Sequence, residues 1–154
     1  MREIRISAYA KVNLRLDILG KRPDTYHELR TIFQTISLHD EMLLLRGSKT
    51  GGICLNIRGN QSLALEPARK NLVYKAVEAL RRELDIRPGV EIDLHKKIPA
   101  GRGLGGGSSD AAAALRGYLQ LTRGKIPEAR LMEIAASLGA DVLSLPTGQG
   151  LIIK

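Results

Sequence analysis

Residues 99–114 read PAGRGLGGGSSDAAAA. Five glycines among the first nine positions argue against strand and helix alike, because glycine has more backbone freedom to lose on ordering than any other residue. Ser108, Ser109 and Asp110, followed by four alanines, predict a helix start: side-chain oxygens that accept the free N–H groups of a first turn, then the best helix former repeated. A glycine-rich loop feeding a helix N-terminus aims several backbone N–H donors and the positive end of the helix dipole at one point, which suits phosphate. Two named phosphate motifs do not fit. Gly101, Gly103 and Gly106 satisfy G-x-G-x-x-G, but a dinucleotide fold needs a second strand after the helix with an acidic residue at its end, and here another helical pattern follows. The P-loop needs a lysine directly after its last glycine, and the run ending at Gly107-Ser108 lacks it. A flexible surface linker is the plain alternative, and linkers seldom end in a capped alanine helix.

Upstream, Val90, Ile92 and Leu94 alternate with polar residues, so a strand over Val90–Lys96 delivers the chain into the loop. Lys96 and Lys97 close that strand, either as cations for a polyphosphate or as a solvated strand end. Before it, Asn71 predicts the cap of a helix whose apolar set is Leu72, Val73, Ala76, Val77, Leu80 and Leu84, closed by Pro88-Gly89. Downstream, a helix from Ser109 to about Leu121 is broken by Thr122-Arg123-Gly124, and Pro127-Glu128 opens another that stops at Gly139. By itself Asp141, next after that stop, reads as a loop aspartate. Leu151-Ile152-Ile153 reads as a final short strand.

The first 60 residues are β in pattern. Ile4, Ile6, Ala8, Ala10, Val12, Leu14, Leu16 and Ile18 alternate with polar residues, predicting a long strand with one buried face and a bend midway. Lys11 and Asn13 share its polar face, which by itself reads as solvated. Gly20 to Asp24 is turn chemistry before Tyr26-His27, a pair read as an aromatic platform or as the start of the next strand. Leu29–Leu38 and Met42–Leu45 predict two strands joined by His39-Asp40-Glu41, and Gly51-Gly52 turns the chain into a strand over Ile53–Arg58.

Composition narrows the classes. A chain of 154 residues with 44% hydrophobic content fits one domain with a core. The single Cys54 excludes an internal disulfide framework. Neither a charged-then-apolar leader nor an 18-residue apolar run is present, so a soluble, cytoplasmic protein is expected. A net charge of +8 favours anionic partners such as nucleotides or phosphorylated metabolites. The basic residues are scattered, and four tyrosines and one phenylalanine offer few stacking platforms, so nucleic acid is the weaker partner class.

Taken together, Ala8-Tyr9-Ala10-Lys11-Val12-Asn13-Leu14, Tyr26-His27-Glu28-Leu29, Pro99 to Ala112 and Leu138-Gly139-Ala140-Asp141-Val142 resemble the GHMP kinases, four blocks in the family's order. The resemblance implies an α+β fold, the ribosomal protein S5 domain 2-like N-terminal domain of a GHMP kinase. It implies ATP as donor, held by Pro99, Ala100, Gly101, Arg102, Gly103, Leu104, Gly105, Gly106, Gly107, Ser108 and Ser109, with Asn71 and Lys96 near the base and Mg²⁺ with Ser108 as its protein ligand. Within the family the blocks are most similar to the members acting on 4-diphosphocytidyl-2-C-methyl-D-erythritol in the non-mevalonate route to isoprenoids, which implies phosphorylation of that substrate's 2-hydroxyl. Lys11 and Asp141 match the catalytic pair, lysine polarising the site and aspartate taking the hydroxyl proton. Tyr26 and His27 match positions that hold cytosine, and Asn13 lies near the acceptor. Thr25 stands where the family has glycine, and Leu143 to Lys154 is unlike the family.

The implied domain organisation is an N-terminal ATP-binding domain over 1–154 without the C-terminal GHMP domain. The expectations are partly retained ATP binding, weak or absent turnover, and a homodimer formed through uncovered surface. Two alternatives are another GHMP small-molecule kinase, of the homoserine or mevalonate type, and a basic RNA-binding module with an S5-like fold.

Overall fold

The computed structural model describes residues 3–21, 27–47, 51–59, 67–86 and 89–144. Four strands, β1 (Glu3–Lys21), β2 (His27–Arg46), β3 (Ile53–Gly59) and β4 (Val90–Lys96), form one sheet in the order β1-β2-β4-β3. Every pair is antiparallel except β3 with β4, which are joined through α1 (Leu72–Glu83) and lie parallel. Then come α2 (Gly106–Thr122), α3 (Glu128–Leu138) and a short α4 (Ala140–Ser144). Met42, Leu44, Ile92 and Leu94 from the sheet pack with Val73, Val77 and Leu80 of α1 and with Ala111 to Leu115 of α2. The alanine run lets α2 lie close to the sheet: a Cβ on Gly117 would stand 2.7 Å from Leu44 Cδ1. Among the described residues no helix is long and apolar enough to cross a membrane.

The strand over Val90–Lys96, the strand–loop–helix order and the Gly139 stop are as the pattern predicts. So is the Asn71 cap, whose Oδ1 accepts the Val73 N–H at 2.8 Å. Asn71→Ala removes that acceptor and is expected to lower stability by about 1 kcal/mol in urea denaturation; an unchanged midpoint overturns the capping role.

Several expectations are corrected. The pieces Leu29–Leu38 and Met42–Leu45 are one continuous strand, His39-Asp40-Glu41 included, because Asp40 lies on the covered face, satisfied there by groups at the end of β4. The alternation through Leu14, Leu16 and Ile18 does not mark a buried face: these residues are 66, 52 and 67% exposed. There β1 and β2 run past β4 as a two-stranded ribbon, and the helices pack over the four-stranded part only. The predicted bend is real, as register shifts between Tyr9 and Lys11, Asn13 and Arg15, and Ile18 and Gly20. Helix α1 ends at Glu83, earlier than Pro88-Gly89, with Leu84 as its cap. Helix α2 begins at Gly106 rather than Ser109, its N-cap being Gly105 in the left-handed region with no side-chain bond, so Ser108, Ser109 and Asp110 lie inside the first turns instead of capping them. Finally, Asp141 lies in α4, not in a loop. Of the turn predicted over Gly20 to Asp24, Gly20 and Lys21 instead extend β1, paired with Glu28 and His27; residues 22–24, Thr25, Tyr26 and the predicted final strand at residues 151–153 lie outside the described residues.

Candidate functional site

Gly101, Gly103 and Gly105 have φ of 67, 71 and 68°, a region where a side chain costs roughly 1–2 kcal/mol. At Gly101 and Gly103 no atom would crowd a Cβ, so the backbone conformation alone demands glycine there. At Gly106 the reason is contact: a Cβ would stand 3.0 Å from Ile98 Cγ2 and 3.4 Å from Lys96 Nζ. The loop thereby settles against the end of β4 and enters α2 with the N–H groups of Gly106, Gly107 and Ser108 in its uncapped first turn. These amides and the helix dipole face a cavity of about 370 Å³, lined by every residue from Pro99 to Ser108 and by Asn71, Lys96 and Asp110.

Ser109 is not among the lining residues. Its N–H donates to Gly105 O at 2.8 Å and its hydroxyl to Tyr9 O at 2.7 Å, so it braces the helix start against β1. The same register shift in β1 sends the Lys11 N–H out to Leu104 O at 3.0 Å. Lys11's aliphatic stem then lies beside Gly105, at 3.1 Å from where its Cβ would be, and Lys11 Nζ donates to Asn13 Oδ1 at 3.2 Å. Lys11, Asn13 and the glycine loop are thus neighbours, with the Thr31 hydroxyl 3.3 Å from Asn13 Oδ1. Asp141 is exposed on α4, which packs against α2 and is anchored by the fully buried Val142. His27 opens β2 opposite Lys21.

Lys96 is neither a solvated strand end nor an unpaired cation. It is 5% exposed, and its Nζ donates to Asp40 Oδ2 and, at 2.5 Å, to Asp110 Oδ2. Asp40 Oδ1 accepts the Lys97 and Ile98 N–H groups at 2.5 and 2.8 Å. Burial pushes the Asp110 carboxyl up to about 7, against the pull of Lys96 and with the Asp40 charge adding to the rise. Lys97 pairs with Glu41 at 2.5 Å and holds that carboxyl below its ordinary value. Sequence reasoning missed Asp40 and the pairing of Asp110. One signal was available: Asp40 shares the parity of Met42 and Leu44, placing a carboxylate on the apolar face of its strand.

The sequence pattern described as GHMP kinases N terminal domain matches residues 71–151, more than half of the chain. The chain belongs to the GHMP kinases. Among the similar members is the 4-diphosphocytidyl-2-C-methyl-D-erythritol kinase of Pelotomaculum thermopropionicum, 50% identical over 135 residues that cover 88% of this chain and 46% of that protein. A crystal structure of 4-(cytidine 5'-diphospho)-2C-methyl-D-erythritol kinase superposes with a TM-score of 0.78 at 37% identity, over 96% of this chain and 50% of that one. Homoserine kinase from Cytophaga hutchinsonii, at 23% identity and a TM-score of 0.65 over 96% of this chain and 43% of its own, shares the fold. The α+β architecture is that of an N-terminal GHMP domain. This GHMP chain spans about half the length of the curated relatives it matches.

Proposed function

We propose that this chain forms the ATP-binding part of a kinase that phosphorylates the 2-hydroxyl of 4-diphosphocytidyl-2-C-methyl-D-erythritol in non-mevalonate isoprenoid precursor synthesis. The supporting observation is the loop itself: left-handed glycines deliver the chain into an uncapped helix N-terminus over one cavity, in a chain whose relatives are named for that reaction. Phosphoryl transfer is mainly positioning plus electrostatic stabilisation, which oriented backbone donors supply at no reorganisation cost. The N–H groups of Gly106, Gly107 and Ser108 hold phosphate oxygens, and Asn71, its Oδ1 committed to the helix cap, offers its amide N–H to the nucleoside. Lys11, kept beside the loop by Leu104 and Gly105, polarises the acceptor site, and Asn13 orients the substrate with it. Asp141 accepts the proton of the attacking hydroxyl. Tyr26 and His27 hold the cytosine.

No cluster of three or more acidic, histidine or cysteine side chains suited to a metal exists among the described residues, so Mg²⁺ fits here only with nucleotide oxygens and water as most of its ligands and the Ser108 hydroxyl as a protein ligand. When bound it neutralises phosphate charge. Calorimetric titration with ATP and Mg²⁺ is expected to show saturable binding, and Asp141→Asn is expected to leave that affinity unchanged while lowering phosphoryl transfer to the cytidyl substrate about a hundredfold. Absence of ATP binding overturns the proposal. Measurable transfer by the unchanged chain that Asp141→Asn equals removes the aspartate from its role.

A further inference from the structure

Asp40, Lys96 and Asp110 come from β2, β4 and α2 and are 0, 5 and 2% exposed. Two carboxylates face one ammonium. Asp40 is held by two backbone N–H groups as well as by Lys96, whereas Asp110 Oδ1 has no hydrogen-bond partner among the described residues. An ammonium has three donors, and Asp40 and Asp110 occupy two of them. Lys96 and Asp110 also line the loop cavity, directly beneath the first turn of α2 at Gly106. A lysine beside a phosphate loop ordinarily serves as a point charge for phosphate. Once both carboxylates are ionised, as they are in mildly alkaline solution, its charge is more than cancelled within hydrogen-bond distance, so an anion at the loop meets a net negative cluster rather than a cation.

We infer that Asp40 and Asp110 are positioning and specificity residues: they hold Lys96 as a hydrogen-bond donor to an uncharged part of the nucleotide and prevent it from clamping phosphate. This rests on the nucleotide reading of the cavity. The design has a definite consequence for ligands. A polyphosphate without a nucleoside feels the negative cluster and gains nothing from the oriented donor, whereas ATP gains from the donor. Selectivity for nucleotide over bare polyphosphate therefore comes partly from two carboxylates that act through Lys96.

The test compares ATP with inorganic tripolyphosphate, each titrated into the unchanged chain and into Asp110→Asn in mildly alkaline buffer. The substitution neutralises the cluster and loosens Lys96. Tripolyphosphate binding is expected to tighten about tenfold, as removal of one unit charge near the site allows, and ATP affinity to change much less, so that the selectivity ratio falls about tenfold. A purely structural ion cluster would shift the unfolding temperature and leave the ratio where it was. An unchanged ratio, or weaker tripolyphosphate binding, overturns the inference while ATP binding by the unchanged chain keeps the cavity reading intact. Should Asp110→Asn fail to fold, Asp40→Asn carries the same expectation, since asparagine retains an oxygen for the Lys97 and Ile98 N–H groups. If the unchanged chain binds neither probe, the nucleotide reading fails and this inference with it.

Discussion

Lys96→Met is expected to destabilise the protein by about 3–5 kcal/mol, the range for removing one partner of a buried ion cluster. The thioether has nearly the length of the lost side chain, so the change leaves little cavity; what it leaves is Asp40 and Asp110 facing one another without a cation. Asp40 keeps its two backbone donors, but Asp110 loses the only bond made by its carboxylate among the described residues. Against a total stability of roughly 5–15 kcal/mol, such a loss is a large fraction of the whole. Urea denaturation followed by circular dichroism reads it as a fall in midpoint at constant slope. Adding Asp110→Leu to Lys96→Met removes the orphaned carboxylate and is expected to recover most of the deficit. A Lys96→Met protein within 1 kcal/mol of the parent would show that the cluster contributes nothing net.

Gly105→Val is expected to reduce ATP affinity by roughly a thousandfold while the sheet and helices persist. Two costs add. Gly105 caps α2 with φ +68°, where a β-branched residue is strained, and its Cβ would stand 3.1 Å from Lys11 Cγ and Cε. Strain of about 1–2 kcal/mol and overpacking of about 1–3 kcal/mol together match that loss if relieved by displacing the loop. The loop moves more readily than the core because no apolar residue of the core lies between Gly101 and Gly105. Calorimetry with ATP and Mg²⁺ measures the affinity, and circular dichroism checks that the fold survives. Near-parental ATP binding by Gly105→Val would detach the glycine loop from nucleotide binding altogether.

Much of this site was legible because its signals are local. Glycines at 101, 103 and 105 are demanded by backbone φ at those positions, and the strand before them is a period-2 pattern that needs no partner to be recognised. Asn71 caps α1 as its residue type and position predict. Ser108 to Asp110 were misassigned for an equally local reason. The cap preference of Ser and Asp is real, but here left-handed Gly105 starts the helix three residues earlier, so a hydroxyl and a carboxylate suited to capping were left for other partners.

By itself the sequence determined the order of strand, loop and helix around the glycines, the helical faces, the one-sided charge of the chain and, through four separated blocks, the family. Those are properties of neighbours in the chain, where residue type acts directly on backbone conformation and on the period of burial. Tertiary structure alone decided that Asp40 and Asp110, 70 residues apart in the chain, share one lysine; that a register shift in β1 turns Lys11 toward Leu104; and that Leu14, Leu16 and Ile18 stay in solvent. Each depends on which elements lie over one another. A period in the sequence reports which side of a strand is apolar, and only packing reports whether anything covers it or which buried charge finds its partner there.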